Sequence, residues 1–413
     1  MASLLRKRAL CMILALPFLL SLGACAGDAP SAGGSAEIAS RSSSDAKASE
    51  SASSASAASS AVSAASSAQR DGSLSFVPTL PFSVGVNVDG MQDFSDNYDR
   101  LPAHLDSLTS ADTYKDIRAQ GFDHIRLAVN FWRAYLDDKD QYTTEEYMSI
   151  VDTAVRHALD AGLYVMLNFH GWFEIGDNPE DCDVCVSIWD KVAERYKDYD
   201  TRLIFEPINE PWYDNGRARP YLSDQKLNEL QARLIQTIRG KGSENAERLI
   251  ICCTADGNKA WKLGALELPM DDGHLAVAIH EYEPSSFTGQ DFRWSGTGGQ
   301  KITLSEAGGI ARTYYDFSAI KQFMMTTGIP VVLNEFGMNL DSPSEEDVTA
   351  YLRGIAEQCR KLGIPYAYWQ YLGGNYNRFT WRNRDNEFAL YREIHAYGKK
   401  EWDKVALDAI FLR

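Results

Sequence analysis

The stretch RLIFEPINEPW, residues 202–212, combines the pattern of a β-strand with polar residues that can take part in chemistry. Its apolar β-type run, LIF (203–205), is expected to lie in the protein core. The run leads to Asn209 and Glu210, which are flanked by prolines. A carboxylate at the end of a buried strand costs free energy unless another group uses it. The stretch therefore predicts a functional carboxylate at the tip of a buried strand.

Other segments share this β-type pattern, and several are nearly continuous in apolar residues, as is typical of parallel strands covered on both faces. In chain order they are SVGVNV (83–88), HIRLAV (124–129), LYVMLNFH (163–170), RLIICCTA (248–255), LAVAIHEY (275–282), PVVLNEFG (330–337) and PYAYWQYL (365–372). Helical apolar spacing occurs between them, over 144–161 before Gly162, from Ser223 to Gly240 and from Ser344 to Gly363.

Strands that alternate with helices in this way predict an α/β fold, a single (β/α)8 TIM barrel. An open doubly wound sheet is the alternative. A dinucleotide-binding glycine loop after the first strand would favour that sheet, and the sequence has none there.

The N-terminal segment predicts export. A basic start is followed by an apolar stretch over 9–22, which is short for a membrane span and typical of a secretory signal. The segment ends in LGAC (22–25), which resembles a bacterial lipoprotein box in which Cys25 becomes the lipidated N-terminus. The alternative is an ordinary signal peptide with a cysteine nearby by chance.

We expect three regions. Residues 1–24 form the lipoprotein signal peptide, and 25–73 form a lipidated N-terminus with a disordered Ser/Ala-rich tether, whose composition offers little apolar surface to offset ordering entropy. Residues 74–413 form the barrel. The chain is expected at the bacterial cell surface, held to the membrane through its lipid only.

The formal net charge is −16. This acidic balance disfavours nucleic acid and anionic polymers as partners and suits neutral substrates such as sugars. Cys182 and Cys185 form an isolated CxxC, which predicts a structural or reduced pair, with a local disulfide or a metal site as alternatives. Cys252 and Cys253 lie in an apolar run and are expected to pack as small hydrophobes.

Polar residues collect at the C-terminal ends of the predicted strands, which meet at one mouth of a barrel. They are Arg126, Asn168, His170, Asn209, Glu210, His280, Tyr282, Asn334, Glu335 and Trp369. Two carboxylates at one mouth predict glycoside cleavage, in which one carboxyl group donates a proton and the other attacks the anomeric carbon or activates water. Their environments must then push their pKa values apart.

The chain resembles glycoside hydrolase family 5, the cellulase-like group, over essentially the whole predicted barrel. Asn209-Glu210-Pro211 is similar to the family's acid/base segment, and NEFG (334–337) to its nucleophile segment. The run YEPSSFTGQ (282–290) resembles an endoglucanase loop often written with FTHQ, but Gly289 stands where that pattern has His. This departure bears on substrate detail and leaves the class unchanged.

The resemblance implies roles for these residues. Glu210 is the acid/base and Glu335 the nucleophile, and both Arg126 and Tyr282 support the nucleophile, Arg126 by keeping its pKa low. The remaining predicted substrate-binding residues are His170, Asn209 (to a sugar 2-hydroxyl), His280, Trp369 (the floor of the sugar site) and the further platforms Trp172, Trp212 and Trp294. Neither a metal nor an organic cofactor is expected.

Other carboxylates and amides are weaker candidates. Glu206 is expected inside the barrel or behind the site, and Glu281 on the opposite face of its strand from Tyr282. Asn87 and Asp93 are left open.

The sequence thus predicts a retaining, endo-acting β-glycosidase for β-1,4-linked polysaccharide, an endoglucanase first of all, and a monomer. The alternatives are a β-mannanase, a xyloglucanase or a mixed-linkage glucanase, and, from another class, a surface lipoprotein that binds glycan without cutting it.

Overall fold

A computed structural model describes residues 77–91, 101–131, 135, 144–170, 179–211, 222–290, 301–372, 388–393 and 400–413. Its strands match the predicted apolar runs. They are β1 (Val84–Met91), β2 (His124–Val129), β3 (Tyr164–Phe169), β4 (Leu203–Glu206), β5 (Ile250–Cys253), β6 (Leu275–Glu281), β7 (Val331–Phe336) and β8 (Tyr366–Tyr368).

These strands close a parallel barrel in sequence order, β1 to β8. Closure is made where Val84 of β1 pairs with Tyr366 of β8. The predicted (β/α)8 barrel is confirmed, and the open sheet is excluded because both of its edges are paired. A small antiparallel pair, β9 (Tyr391–Glu393) and β10 (Lys400–Trp402), lies outside the barrel sheet.

Helices follow the strands and cover the barrel. They are α1 (Leu101–Thr109), α2 (Ala111–Gln120), α3 (Thr144–Asp160), α4 (Pro179–Tyr196), α5 (Asp224–Gly240), α6 (Thr313–Thr327), α7 (Glu345–Leu362) and α8 (Lys404–Ile410). Shorter helical turns occur at Ser243–Ala246, Ala255–Asn258, Ala260–Ala265, Ser285–Thr288 and Ile310–Arg312.

The predicted helix boundaries hold because the expected caps form. The hydroxyls of Ser223 and Ser344 accept hydrogen bonds from the backbone N–H groups of Lys226 and Asp347, which satisfies open donors at the first turns of α5 and α7. α7 ends at Leu362 and is capped by Gly363, which adopts φ 69°, a left-handed conformation that glycine reaches at low cost.

Two apolar regions hold the barrel together. The larger lies between sheet and helices, and a smaller one inside the barrel contains Phe82, Met166, Ile204, Ile251 and Val332. This interior layer closes the barrel as a packed core and leaves the polar strand ends to form the mouth.

The cysteines belong to the packing. None of the following buried residues forms a disulfide: Cys182, Cys185, Cys252, Cys253 and Cys359. The CxxC pair on α4 is buried without a disulfide, as expected of a structural or reduced pair. The apolar packing predicted for the pair on β5 is confirmed. In the part of the chain that the structure describes, no helix has the length and apolar character needed to cross a membrane.

One glycine fixes a close approach at the mouth. A Cβ atom on Gly337, just after β7, would lie 2.4 Å from the carbonyl oxygen of Trp369, just after β8. No side chain fits there, so this glycine allows the backbones that carry Glu335 and Trp369 to meet.

Candidate active site

Glu335 lies near the end of β7 and is held by side chains from β2, from β6 and from the residue just after β6. Its Oε1 atom accepts a hydrogen bond from Nη1 of Arg126, and its Oε2 atom accepts one from the Tyr282 hydroxyl at 3.0 Å. The Nδ1 atom of His280 lies 3.4 Å from Oε2. Both oxygens are therefore oriented toward a defined point in the mouth, as a nucleophile requires.

The pKa of Glu335 departs from the expectation. Burial raises it above its usual value and the nearby Glu210 adds to the rise, while His280, Arg126 and the Tyr282 hydrogen bond oppose it. The prediction that Arg126 keeps this pKa low is therefore wrong, because the desolvation of a fully buried carboxylate outweighs the attraction of the guanidinium.

Glu210 follows β4, and its backbone is strained. Its φ is 38°, in the left-handed region that a residue with a Cβ atom avoids, at a typical cost of about 1–3 kcal/mol. Its Oε1 atom lies 2.7 Å from Nδ1 of His280. A strained conformation of this kind persists where the surrounding structure fixes it, and here it turns the carboxyl group into the mouth.

The two carboxylates face one another across the mouth. A carboxylate oxygen of Glu210, a carboxylate oxygen of Glu335 and a ring nitrogen of His280 all lie within 4.8 Å of one another. Such a triplet could hold a metal ion. Nucleophilic attack and proton donation on one bond require the same closeness without any ion.

Arg126, on β2, lies at the centre of the buried polar network. Its Nε and Nη2 atoms donate to the two carboxylate oxygens of Glu206, at 2.6 Å and 2.9 Å, in a bidentate pair. It also donates to the amide oxygens of Asn87 and Asn209. Glu206 therefore acts behind the site, as predicted, and Asn87 holds the guanidinium from β1.

Asn209 links Arg126 to His170 at the mouth. Because its Oδ1 atom accepts from Arg126, its Nδ2 atom faces Nε2 of His170, at 3.2 Å. His170 is therefore neutral with its proton on Nδ1, which donates to Asn168 at 2.8 Å, and burial holds the pKa of His170 well below its usual value. The His170 ring stacks on Trp369, with ring centroids 5.5 Å apart.

The sixth strand separates two carboxyl environments. Tyr282 faces the mouth and contacts Glu335, whereas the buried Glu281 accepts a hydrogen bond from the backbone N–H of Glu283 and interacts with Asp316 on α6. The predicted alternation is confirmed. Burial and the nearby Asp316 raise the pKa of Glu281 to about 8.

Sequence reasoning missed Asn258. It lies in the turn Ala255–Asn258 after β5, where Asp256, Gly257 and Asn258 all adopt left-handed backbone conformations. The turn places Nδ2 of Asn258 3.2 Å from Nε2 of His280. The run DGN (256–258) signals a tight turn, but it does not indicate where the amide points.

The structure brings most of the predicted site residues together. These are Arg126, His170, Asn209, Glu210, His280, Tyr282, Glu335 and Trp369. The predicted platforms Trp172, Trp212 and Trp294, the open candidate Asp93 and the predicted lipidation site Cys25 lie outside the described residues.

Comparisons with known proteins agree with this geometry. The family model described as cellulase (glycosyl hydrolase family 5) matches residues 83–375. Endoglucanase 1 of Ruminococcus albus is 30% identical over 280 residues, which cover 64% of this chain and 65% of the relative. The chain thus spans less than two thirds of that relative's length.

Two further relatives extend the comparison. The xyloglucan-specific endo-beta-1,4-glucanase BoGH5A of Bacteroides ovatus is 27% identical over 282 residues, 62% of this chain and 55% of the relative. Among solved structures, the cellulose synthase subunit Z of Clostridioides difficile superposes with a TM-score of 0.64 at 25% identity, covering 80% of this chain and 99% of its own.

Proposed function

The chain belongs to glycosyl hydrolase family 5, and from this premise we propose that it is a retaining, endo-acting β-1,4-glucanase. The observation that carries the proposal is the approach of the Glu210 and Glu335 carboxylate oxygens to within 4.8 Å, with His280 beside both. Retaining glycosidases hold their two carboxyl groups about 5–5.5 Å apart, whereas inverting enzymes leave about 6.5–9.5 Å for a water molecule. The spacing supports attack by a carboxylate itself.

In the first step Glu335 is the nucleophile. Its carboxylate oxygen forms a bond to the anomeric carbon, while Glu210 gives its proton to the glycosidic oxygen as that carbon–oxygen bond breaks. The leaving chain departs with a new hydroxyl group, and the remaining sugar is held as an ester on Glu335. Tyr282 and Arg126 orient the attacking carboxylate through the hydrogen bonds already described.

In the second step Glu210, now ionised, accepts a proton from a water molecule. The oxygen of that water attacks the anomeric carbon at the same time. The ester bond breaks, Glu335 regains its carboxylate, and the sugar leaves with the configuration it had in the substrate. His280 serves Glu210 in both steps because its neutral ring, with a pKa lowered to about 4 by burial, offers a hydrogen bond without competing for the proton in transit.

The substrate side of the proposal rests on neutral recognition groups. Asn209 has a second amide N–H for a sugar 2-hydroxyl, and Trp369, stacked on His170, presents a flat ring for a sugar face. The name of endoglucanase 1 favours β-1,4-glucan, and that of the relative BoGH5A makes xyloglucan the second candidate. β-Mannan and mixed-linkage glucan are further alternatives within the same chemistry.

The first test is the release of reducing sugar from carboxymethylcellulose, lichenan, xyloglucan, mannan and xylan. We expect activity on one or two of them and β-configured product at early times by proton NMR. Product of α configuration would contradict the retaining mechanism. Bound polysaccharide with no cleavage of any substrate would favour the non-catalytic glycan-binding alternative.

Role assignments are tested on an aryl β-cellobioside. Glu335→Ala should leave less than about 10⁻⁴ of the activity, since removal of a nucleophile has effects of this order. Glu210→Ala should lose about 10²–10⁴-fold on polysaccharide but much less on the aryl substrate, whose leaving group needs little protonation. Azide should rescue Glu210→Ala as a β-glycosyl azide and Glu335→Ala as an α-glycosyl azide. The reverse pattern would exchange the two roles.

We further propose that the chain is exported, lipidated at Cys25 and held at the cell surface by its Ser/Ala-rich tether, as a monomer. The order of basic start, apolar stretch and LGAC (22–25) supports this. Metabolic labelling with a fatty acid should mark the wild type and spare Cys25→Ser, which should leave the membrane fraction. Equal labelling of both would contradict lipidation at this residue.

A further inference from the structure

The turn Ala255–Asn258 lies directly beside the proposed acid/base. The backbone N–H of Gly257 donates to the carbonyl oxygen of Pro211, at 3.4 Å, and Pro211 follows Glu210 in the chain. On the other side Asn258 contacts His280. The residues that follow this turn therefore lie on the Glu210 side of the mouth.

Trp261 follows that turn and faces solvent. Its side chain is 56% exposed, although Trp is usually well buried. It is also oriented, because its Nε1 atom donates to a carboxylate oxygen of Asp256 at 3.3 Å and the Lys259 ammonium lies 5.8 Å from its ring centroid. An exposed ring held by polar partners is typical of a binding platform.

Tyr314 and Tyr315, in the first turn of α6, are also exposed, at 51% and 81%. The preceding Arg312 forms an ion pair with Glu283, at 3.2 Å, which ties the start of α6 to the loop after β6 at the barrel mouth. The short helix Ala260–Ala265 also packs against α6. The two tyrosines thus belong to the same end of the barrel as Trp261.

Lys259 connects the two segments. Burial raises the pKa of Asp316, the residue after Tyr315, and the positive charge of Lys259 opposes this rise, so the ammonium lies near the first turn of α6. The same ammonium lies near the Trp261 ring. Lys259 therefore lies near both Trp261 and the first turn of α6.

We propose that Trp261, Tyr314 and Tyr315 form a carbohydrate-binding surface, the leaving-side surface, that holds the sugar chain beyond the cleaved bond. The inference rests on the proposed function, in which Glu210 protonates the leaving oxygen, so the sugars released first must lie beside Glu210 and Pro211. Trp369 and His170, which stack on one another just after β8 and β3, hold the sugar that is transferred. Flat rings with polar neighbours suit the apolar faces and hydroxyl edges of a β-linked chain.

The test compares two substrates that differ only in what lies beyond the cleaved bond. A soluble β-glucan contacts the leaving-side surface, whereas an aryl β-cellobioside has no sugar there. Trp261→Ala and Tyr315→Ala should each lower kcat/KM on the glucan by about threefold to tenfold, the scale of one aromatic contact, and their combination more. Activity on the aryl substrate should stay within about twofold, and Trp261→Phe should retain much of the glucan activity.

Met270→Ala is the matched control. Met270 is 63% exposed but precedes β6, at the opposite end of the barrel, so both activities should stay at the wild-type level. An unchanged glucan activity in the double variant Trp261→Ala/Tyr315→Ala, or an equal loss on both substrates, would overturn the leaving-side surface while leaving the proposed function intact.

A wild type without activity on either substrate would instead sink the proposed function. Retardation in native gels that contain the glucan then tests whether the leaving-side surface binds the glucan, independently of catalysis. We expect the wild type to be retarded and the double variant to migrate freely. Equal migration of the two proteins would count against the surface.

Discussion

The Nδ2 atom of Asn258 lies 3.2 Å from Nε2 of His280, and this contact fixes the protonation of the histidine ring. An amide nitrogen only donates hydrogen bonds, so Nε2 must accept and the proton of the neutral ring must lie on Nδ1. That proton is donated to Glu210, at 2.7 Å. A residue outside the proposed catalytic pair thus determines that the proposed acid/base, Glu210, faces a hydrogen-bond donor.

Asn258→Ala should lower kcat by about fivefold, equivalent to ~1 kcal/mol for one hydrogen bond, with little change in KM. Without the amide the imidazole exchanges between tautomers, and one of them offers Glu210 no proton donor. Steady-state kinetics across pH on an aryl β-cellobioside provide the measurement. A purely structural role would instead lower the free energy of unfolding and leave the shape of the pH profile unchanged.

Arg126→Met should destabilise the fold strongly. The change leaves Glu206 buried without its bidentate partner and Glu335 without its guanidinium contact. Removal of one member of a buried ion pair typically costs about 3–5 kcal/mol in the free energy of unfolding. Urea denaturation measures this loss. The free energy of unfolding of Arg126→Lys should lie between those of the wild type and Arg126→Met, because an ammonium keeps the charge but cannot reproduce the planar fork of the guanidinium.

Glu281→Gln should change the pH dependence of stability. Burial and the nearby Asp316 raise the folded-state pKa of Glu281 from 4.5 to about 8, so between these values the folded chain binds more protons than the unfolded chain. The wild-type free energy of unfolding therefore contains a contribution that falls as pH rises through this window. Lys259, Glu283 and Arg312 also act on this acidic pair.

The glutamine variant stays neutral, so its stability relative to the wild type should rise from pH 5 to pH 8, by up to a few kcal/mol. Thermal unfolding of both proteins across that range measures the difference. Asp316→Asn is the control. It removes the neighbouring negative charge, so it should lower the folded-state pKa of Glu281 and narrow the pH range over which stability changes. A difference that stays constant with pH would contradict the assignment.

Gly337→Ala should disturb the mouth more than its small size suggests. The new Cβ atom would lie 2.4 Å from the Trp369 carbonyl oxygen, which is backbone and cannot move aside alone. We expect a loss of about 1–3 kcal/mol in the free energy of unfolding and a lower kcat on the aryl substrate.

Gly240→Ala provides the comparison, because the added Cβ atom there has no neighbouring atom within 4 Å and the residue ends a helix. It should be neutral or stabilise the fold by up to about 1 kcal/mol. Equal effects of the two substitutions would mean that the close approach of the two backbones at the mouth does not affect the free energy of unfolding.

The barrel could be predicted from sequence because its strands are covered on both faces. Segments such as HIRLAV (124–129) and PVVLNEFG (330–337) are therefore almost continuously apolar, and a polar residue within or after them stands out. Because the C-terminal ends of all strands of such a barrel meet at one face, these polar residues are expected together at one mouth. Glu210 and Glu335 could be found in this way because each interrupts or follows an apolar run.

What sequence could not provide was the direction and strength of contacts. Asn258 comes from a turn with three left-handed residues, and its amide reaches His280 only because of that backbone geometry. Asn87 was visible as a polar residue in an apolar strand, but its contact with Arg126 depends on the barrel register. The pKa of Glu335 was predicted with the wrong sign because burial, which no motif reports, outweighs the Arg126 charge.

The Arg126 network also determines how the net charge around this guanidinium changes during the proposed reaction. At rest one buried guanidinium neighbours two carboxylates, those of Glu206 and Glu335, so this group carries one unbalanced negative charge. When Glu335 becomes an ester in the proposed mechanism, that charge disappears and the pair of Arg126 with Glu206 is neutral. Unbalanced buried charge is costly. In the covalent intermediate the Arg126 group is thus electrically balanced, and the negative charge has moved to Glu210, which has given up its proton and accepts the hydrogen bond of His280.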